Sequence, residues 1–170
     1  MSEREIEHSF AASLAVEEAG VAFFERANAV TADPRVKLIF TRLARIKQEH
    51  VKLLRDQAAS LGVRSGREAT VPAIYPTEAF ARVECYVCGY SATDIPESCP
   101  KCGAARYAFE KEVSKAMAWE LAAKGARSTL SFVRGLEEKH PVTRPLLEPL
   151  RAAEEAFAAE AEGQLAQAKS

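Results

Sequence analysis

Apolar residues at Ile6, Phe10, Leu14, Val21 and Phe24 recur at intervals of three, four and seven, the spacing that keeps one face of a helix toward a core. Polar and charged residues fill most positions between them, so the pattern predicts a long first helix over residues 3–32. Asp33-Pro34 then supplies a capping side chain and a proline whose missing N–H falls where a helix start has no partner for it. Val36, Ile39, Phe40, Leu43, Ile46 and Leu54 continue the stripe toward Leu61-Gly62, which predicts a second helix antiparallel to the first. From Gly62 to Thr77 the period is lost, and two glycines with Pro72 and Pro76 mark a linker.

The helical period returns after Phe109-Glu110, with Trp119, Ala122, Ala126, Leu130 and Val133 on one face of a third helix ending near Gly135. Pro141, Pro145 and Pro149 follow, spaced four apart. Each forfeits a backbone bond inside a helix, so a fourth helix is expected to settle at about Leu146 to Pro149, with Leu150, Phe157, Ala161 and Leu165 on its buried face. The two helical hairpins are a weak internal repeat. The architecture this predicts is mainly α: an antiparallel four-helix bundle with a first hairpin over 1–62, a linker over 63–79, a small cysteine module over 80–110 and a second hairpin over 111–170.

Composition narrows the function classes. With 23 Lys plus Arg against 24 Asp plus Glu, the 170-residue chain has a net charge of −1 and no basic stripe to neutralise phosphates, which argues against nucleic acid and anionic membrane surfaces as partners. No apolar run approaches the roughly 20 residues needed to span a bilayer. The first residues, Met-Ser-Glu-Arg-Glu-Ile-Glu-His, are charged where a signal peptide needs an apolar stretch, so a cytoplasmic protein with reduced thiols is expected. All four cysteines lie between Cys85 and Cys102, and in a reducing compartment that clustering reads as a metal site.

Cys85-Tyr-Val-Cys88-Gly and Cys99-Pro-Lys-Cys102-Gly are two C-x-x-C knuckles separated by ten residues, a spacing that lets two tight turns present four thiolates to one ion. Glycine after each knuckle supplies positive φ and lets backbone amides approach the sulfurs. Tyr86, Tyr90, Ile95 and Phe109 are expected to form an apolar shell around the site. Four thiolates suit iron and zinc alike.

The run from Cys85 to Tyr90, then Pro96, then Cys99 to Glu110 resembles the rubredoxin-type domain of rubrerythrins, a zinc-ribbon-like module. Ala15 to Phe24, Asp33-Pro34-Arg-Val36 and Glu49-His50 are similar to the first helix pair of the same family's ferritin-like bundle. The resemblance implies one iron at Cys85, Cys88, Cys99 and Cys102 that shuttles single electrons, a redox partner protein, and a bundle that holds two irons for peroxide reduction. The module stands between the hairpins here, whereas the family usually carries it at one end of the chain.

Carried over residue by residue, the di-iron ligand set is incomplete. Glu17 matches the first-helix glutamate and His50 the histidine of the first Glu-x-x-His, but Lys47 stands where that motif's glutamate belongs. Glu154 begins the second Glu-x-x-His and Phe157 replaces its histidine. The third helix offers Ala122 and Ala126 on its inner face, and Phe24 stands where the family has a tyrosine. Glu17, His50 and Glu154 remain as a possible bundle site, against the six or more ligands a di-iron centre uses. Lys47 is expected between Glu17 and Glu154 as a metal-replacing cation. Glu18, Glu49, Glu120 and Glu155 read as solvated helix charges, and His8 and His140 as surface or loop residues.

Two functions follow: a rubrerythrin-like redox protein that moves electrons through the tetrathiolate iron, or a non-catalytic scaffold in which zinc at the same cysteines staples two helical hairpins. A homodimer is expected, and exchange of hairpins between subunits is open to it, because the linker and module make closure within one chain or between two similar in loop entropy.

Overall fold

The computed structural model describes residues 2–64, 69–70 and 72–170 and is mainly helical. In chain order, α1 (Ser2–Val30) and α2 (Pro34–Ser60) form one hairpin, followed by α3 (Glu78–Ala81) and the strands β1 (Val83–Glu84) and β2 (Ser91–Ala92). Then α4 (Lys115–Lys139) and α5 (Arg144–Lys169) form the second hairpin. The hairpins pack together through α1 on α4 and α2 on both α4 and α5. No described helix is long and apolar enough to cross a membrane.

Helix ends follow the capping residues. Asp33 accepts a hydrogen bond from the Arg35 N–H at 2.8 Å, and Ser114 accepts one from Met117 at 3.1 Å. The third long helix runs to Lys139, past the expected stop at Gly135. Gly135 is exposed with open space around it, while Leu136 and Glu137 beyond it are buried and Glu137 pairs with Arg151 at 2.5 Å. Burial and that pair outweigh the glycine's entropic penalty. The fourth begins at Arg144, ahead of the expected 146–149. Pro141 opens a 3-10 turn and Pro145 lies in the first helical turn, so two of the three prolines sit where no N–H partner exists. Only Pro149 stands inside the helix, where the buried Leu147 and Leu150 flank it.

The core is split into two apolar clusters. One contains Phe23, Phe24, Phe40, Leu43, Trp119, Ala122, Ala126 and Phe157, together with Cys85, Cys99 and Phe109 of the cysteine module. The other contains Phe10, Leu54, Val133, Leu147 and Leu150. Between the two, α1, α2 and α5 each place buried polar residues: Glu17, then Lys47 and His50, then Glu154, with Val16 and Val51 beside them.

Backbone pairing docks the module on the α1–α2 turn. Lys111 N–H donates to the Val30 carbonyl at 2.7 Å and Ala32 N–H donates to the Lys111 carbonyl at 2.9 Å. Arg26 reaches from α1 to the Phe80 carbonyl at 2.8 Å and to Asp94 at 2.7 Å.

Of the expected linker, residues 65–68 and 71 lie outside the described residues. The described part up to Thr77 holds no helix, yet it is more than a spacer. Tyr75 is 5% exposed, stacked on Phe23 with ring centroids 5.0 Å apart. It enters a slot between α1 and α4 lined by Gly20 and Gly125, where a Cβ at 125 would lie 2.5 Å from the tyrosine ring. Gly125→Ala is therefore expected to lower stability by about 1–3 kcal/mol through overpacking. Gly163→Ala, with open space at its Cβ, should raise it by about 0.5–1 kcal/mol through helix propensity. Urea unfolding of the two variants checks the slot, and a stabilised Gly125→Ala protein would contradict it.

Candidate functional site

Each cysteine knuckle is the tip of a small hairpin. Around the first, β1 pairs with β2 antiparallel, Cys85 N–H donates to the Tyr90 carbonyl at 2.8 Å and Gly89 N–H to the Cys85 carbonyl at 2.8 Å. The second repeats this: Cys99 N–H donates to the Ala104 carbonyl at 2.7 Å and Gly103 N–H to the Cys99 carbonyl at 2.8 Å. Gly89 and Gly103 have φ of 75° and 77°, which closes both turns without Cβ strain.

The turns bring four sulfurs within 4.8 Å of one another, with Cys85 and Cys102 Sγ 3.8 Å apart and Cys88 and Cys99 Sγ 3.6 Å apart. A tetrahedron with metal–sulfur bonds of about 2.3 Å has edges of about 3.8 Å, so the four thiolates fit one ion. The metal-free thiols are electrostatically mismatched. Burial pushes the Cys99 thiol up, but backbone N–H groups of Cys102 and Lys101 outweigh it and hold it near 7. Cys102 receives the Ala104 N–H, yet burial and the other sulfurs push it up to about 12. A bound cation removes that conflict, since a coordinating thiol is deprotonated outright.

Exposure is one-sided. Cys85 and Cys99 are buried, Cys88 is half-buried and Cys102 is exposed. The expected apolar shell forms only in part. Phe109 is buried and Ile95 half-buried, but Tyr86 is 71% exposed and Tyr90 also faces solvent. The packed side of the module is the one docked on the bundle; Tyr86 lies outside it, while Tyr90 sits at its margin with its ring edge-on to Phe109 at 6.5 Å.

The second cluster lies in the polar layer of the bundle. Glu17 of α1, Lys47 and His50 of α2 and Glu154 of α5 meet there, and the side chains of Glu17, Lys47 and Glu154 have no solvent exposure. Lys47 Nζ is 3.2 Å from Glu17 Oε2 and forms an ion pair with Glu154 Oε1. His50 Nδ1 reaches the same two oxygens, at 3.2 Å and 2.8 Å, so it donates to both. Lys47 Nζ also lies 5.0 Å from the Phe157 ring centroid, and His50 packs edge-on against that ring.

The titration behaviour follows from burial against charge. Burial raises Glu17, and the adjacent Glu154 adds to the rise. Glu154 is buried too, but Lys47 and the His50 N–H outweigh that and hold it near 2. Burial works against a charged His50, and its bonds to Glu154 and Glu17 push it up to about 9. Lys47 stays charged well above its usual range against burial, held by the carboxylates of Glu17 and Glu154.

The structure thus brings together Glu17, Lys47, His50 and Glu154, but not as a di-iron set. Among the described residues, α4 presents Ala122, Ala126 and Thr129 as buried neighbours on that helix and no inward carboxylate at this level. Glu120 pairs with Lys124 and the buried Glu137 with Arg151. Glu18 pairs with Arg55 and Glu155 with Arg134, and Glu49 is exposed. His8 is exposed and His140, half-buried, caps the end of α4. Two residues that periodicity overlooks belong to this site: Tyr75, whose hydroxyl packs with the Lys47 stem over Gly20, and Gly125 opposite it. The signal was a lone aromatic between prolines in a segment read as a spacer. Comparison of the chain with family profiles, curated proteins and solved structures finds no match.

Lys47→Met is expected to destabilise the fold by about 3–5 kcal/mol at neutral pH, because it leaves two buried carboxylates without their cation. The penalty should shrink in acid as those carboxylates protonate. In the wild type, the lowered Glu154 contributes stability above about pH 4.5 that is lost as pH falls toward 2. The raised Glu17 opposes that slope. The raised His50 contributes stability below about 6.5 that is lost as pH rises through 9. Unfolding free energy measured from pH 4 to 10 should therefore decline on the alkaline side, and His50→Gln should flatten that decline.

Proposed function

We propose that the protein is a rubrerythrin-like one-electron carrier, with a rubredoxin-type iron at Cys85, Cys88, Cys99 and Cys102 beside a ferritin-like bundle that lacks the peroxide-reducing di-iron centre. The observation that carries it is the tetrahedral closure of four sulfurs from two matched knuckles, with edges of 3.6 and 3.8 Å. Iron rather than zinc rests on the resemblance of residues 85–110 to the rubredoxin-type domain.

Bound iron supplies a single-electron couple with no change of ligands. The chain supplies the rest. Backbone N–H groups of Lys101 and Cys102 facing the Cys99 sulfur, and of Ala104 facing the Cys102 sulfur, take up part of the thiolate charge, which eases the extra negative charge of the reduced state. Phe109 and Val83 exclude water from the inner side. The exposed Cys102 and half-buried Cys88 leave an outer edge for electron exchange. Tyr86, Val87 and Tyr107, each more than two-thirds exposed, give the module an apolar surface suited to a redox partner protein. A cytoplasmic homodimer fits this reading, since it would bring the four-cysteine site of one copy near the bundle of the other.

One observation favours zinc in a structural role instead. Cys85 and Cys99 belong to the same apolar cluster as Phe24, Phe40 and Trp119, so an ion there also ties the module to the bundle.

Protein from iron-supplemented cells is expected to be red, to hold one iron per chain at the cysteines, and to bleach reversibly on reduction. Cys88→Ser should lose that iron and its visible spectrum. A colourless wild type that retains stoichiometric zinc under iron-replete expression would establish the scaffold reading.

A further inference from the structure

Glu17, His50 and Glu154 have the outward form of a metal site. One ligand atom from each lies within 4.8 Å of the others, and three helices contribute. Yet one oxygen of each carboxylate is already committed, while Glu17 Oε1 and Glu154 Oε2 are buried without a hydrogen-bond partner. Glu17 Oε2 and Glu154 Oε1 each face both Lys47 Nζ and His50 Nδ1. Facing two ionised carboxylate oxygens, His50 Nδ1 carries the hydrogen and offers no lone pair on that side of the ring. An ion bonded to the same oxygens at the usual 2.0–2.2 Å would sit against the ammonium, inside a site without solvent to screen the repulsion.

Charge balance points the same way. Two carboxylates, one ammonium and one imidazolium sum to zero, and a divalent ion would leave the layer two charges in excess. The lysine is also held from outside the cluster. Its Nζ lies over the Phe157 face, and its stem and the Tyr75 hydroxyl share the space above Gly20.

We propose that the bundle core is a metal-binding constellation whose cation is built into the chain: Lys47 occupies the ion's place, so the wild-type bundle excludes divalent metals and its two carboxylates become a metal site only when the ammonium is removed. This is independent of which ion the cysteines hold. It assigns to the bundle a structural role, and among the described residues it leaves the cysteine module as the seat of metal chemistry.

The substitution Lys47→Glu places a carboxylate three residues before His50, on the same turn of α2, where it joins Glu17 and Glu154. Lys47→Ala keeps the three original groups and only removes the ammonium. Purified full-length wild type and both variants, with the cysteine site saturated, would be titrated with Mn2+ while thermal unfolding and metal per chain after desalting are measured. Wild type should keep a single cysteine-bound metal and an unchanged Tm at millimolar Mn2+. Both variants should gain at least one metal, and their Tm should climb with Mn2+ concentration, as binding to the folded state alone requires. If Lys47→Glu folds only in the presence of Mn2+, that dependence supports the proposal. A wild-type Tm that rises with Mn2+, or an extra wild-type metal lost in Glu17→Gln, would overturn it. So would two variants that bind no added metal, since Lys47 would then not be what closes the site.

Discussion

The structure turns on one constraint: two glutamates, Glu17 and Glu154, are fully buried between α1, α2 and α5 and must be neutralised without solvent. A buried carboxylate persists only with opposite charge and hydrogen bonds in place. Lys47 and His50, three residues apart on one face of α2, provide both. Buried ion pairs contribute little net stability compared with an apolar replacement, but they tolerate no slippage. The contacts of Lys47 and His50 with Glu17 Oε2 and Glu154 Oε1 form only when three helices are aligned to within hydrogen-bonding distance, so they set the register of one hairpin on the other. It also divides the core, leaving apolar clusters on either side that do not merge.

The cysteine module presents the same electrostatic problem with a different solution. Four sulfurs crowd together, with two edges of 3.6 and 3.8 Å, and the Cys99 thiol is lowered while that of Cys102 is raised. In the bundle the cation is covalently tethered and inaccessible. In the module the site is closed by backbone turns and open on one edge, where Cys102 is exposed. Between them, Phe23, Phe80 and Tyr75 pack as one aromatic group, with Arg26 and Lys111 holding the module on the α1–α2 turn. The module is therefore part of the bundle's packing rather than a bead on a linker.

Much of this was legible in the chain itself. The 3.6-residue period, the Asp33-Pro34 start and the paired C-x-x-C-G knuckles each specify local structure, because helices, caps and tight turns depend on residues within a few positions of one another. The spacing of Lys47 and His50 likewise placed both on one face of α2 before any tertiary contact was known. Tertiary structure decided the rest. Gly135 and Pro149 oppose helix locally, yet α4 and α5 run through them because Leu136, Glu137, Leu147 and Leu150 are buried against other elements. Tyr75 carries no periodic signal, since its place comes from a slot formed by Gly20 and Gly125 on two separate helices. The sequence by itself determined which charges and thiols each element would carry. Whether those charges would hold a metal was decided only when α1, α2 and α5 met, because the oxygens of Glu17 and Glu154 can be taken by Lys47 only at the few-ångström distances that packing sets.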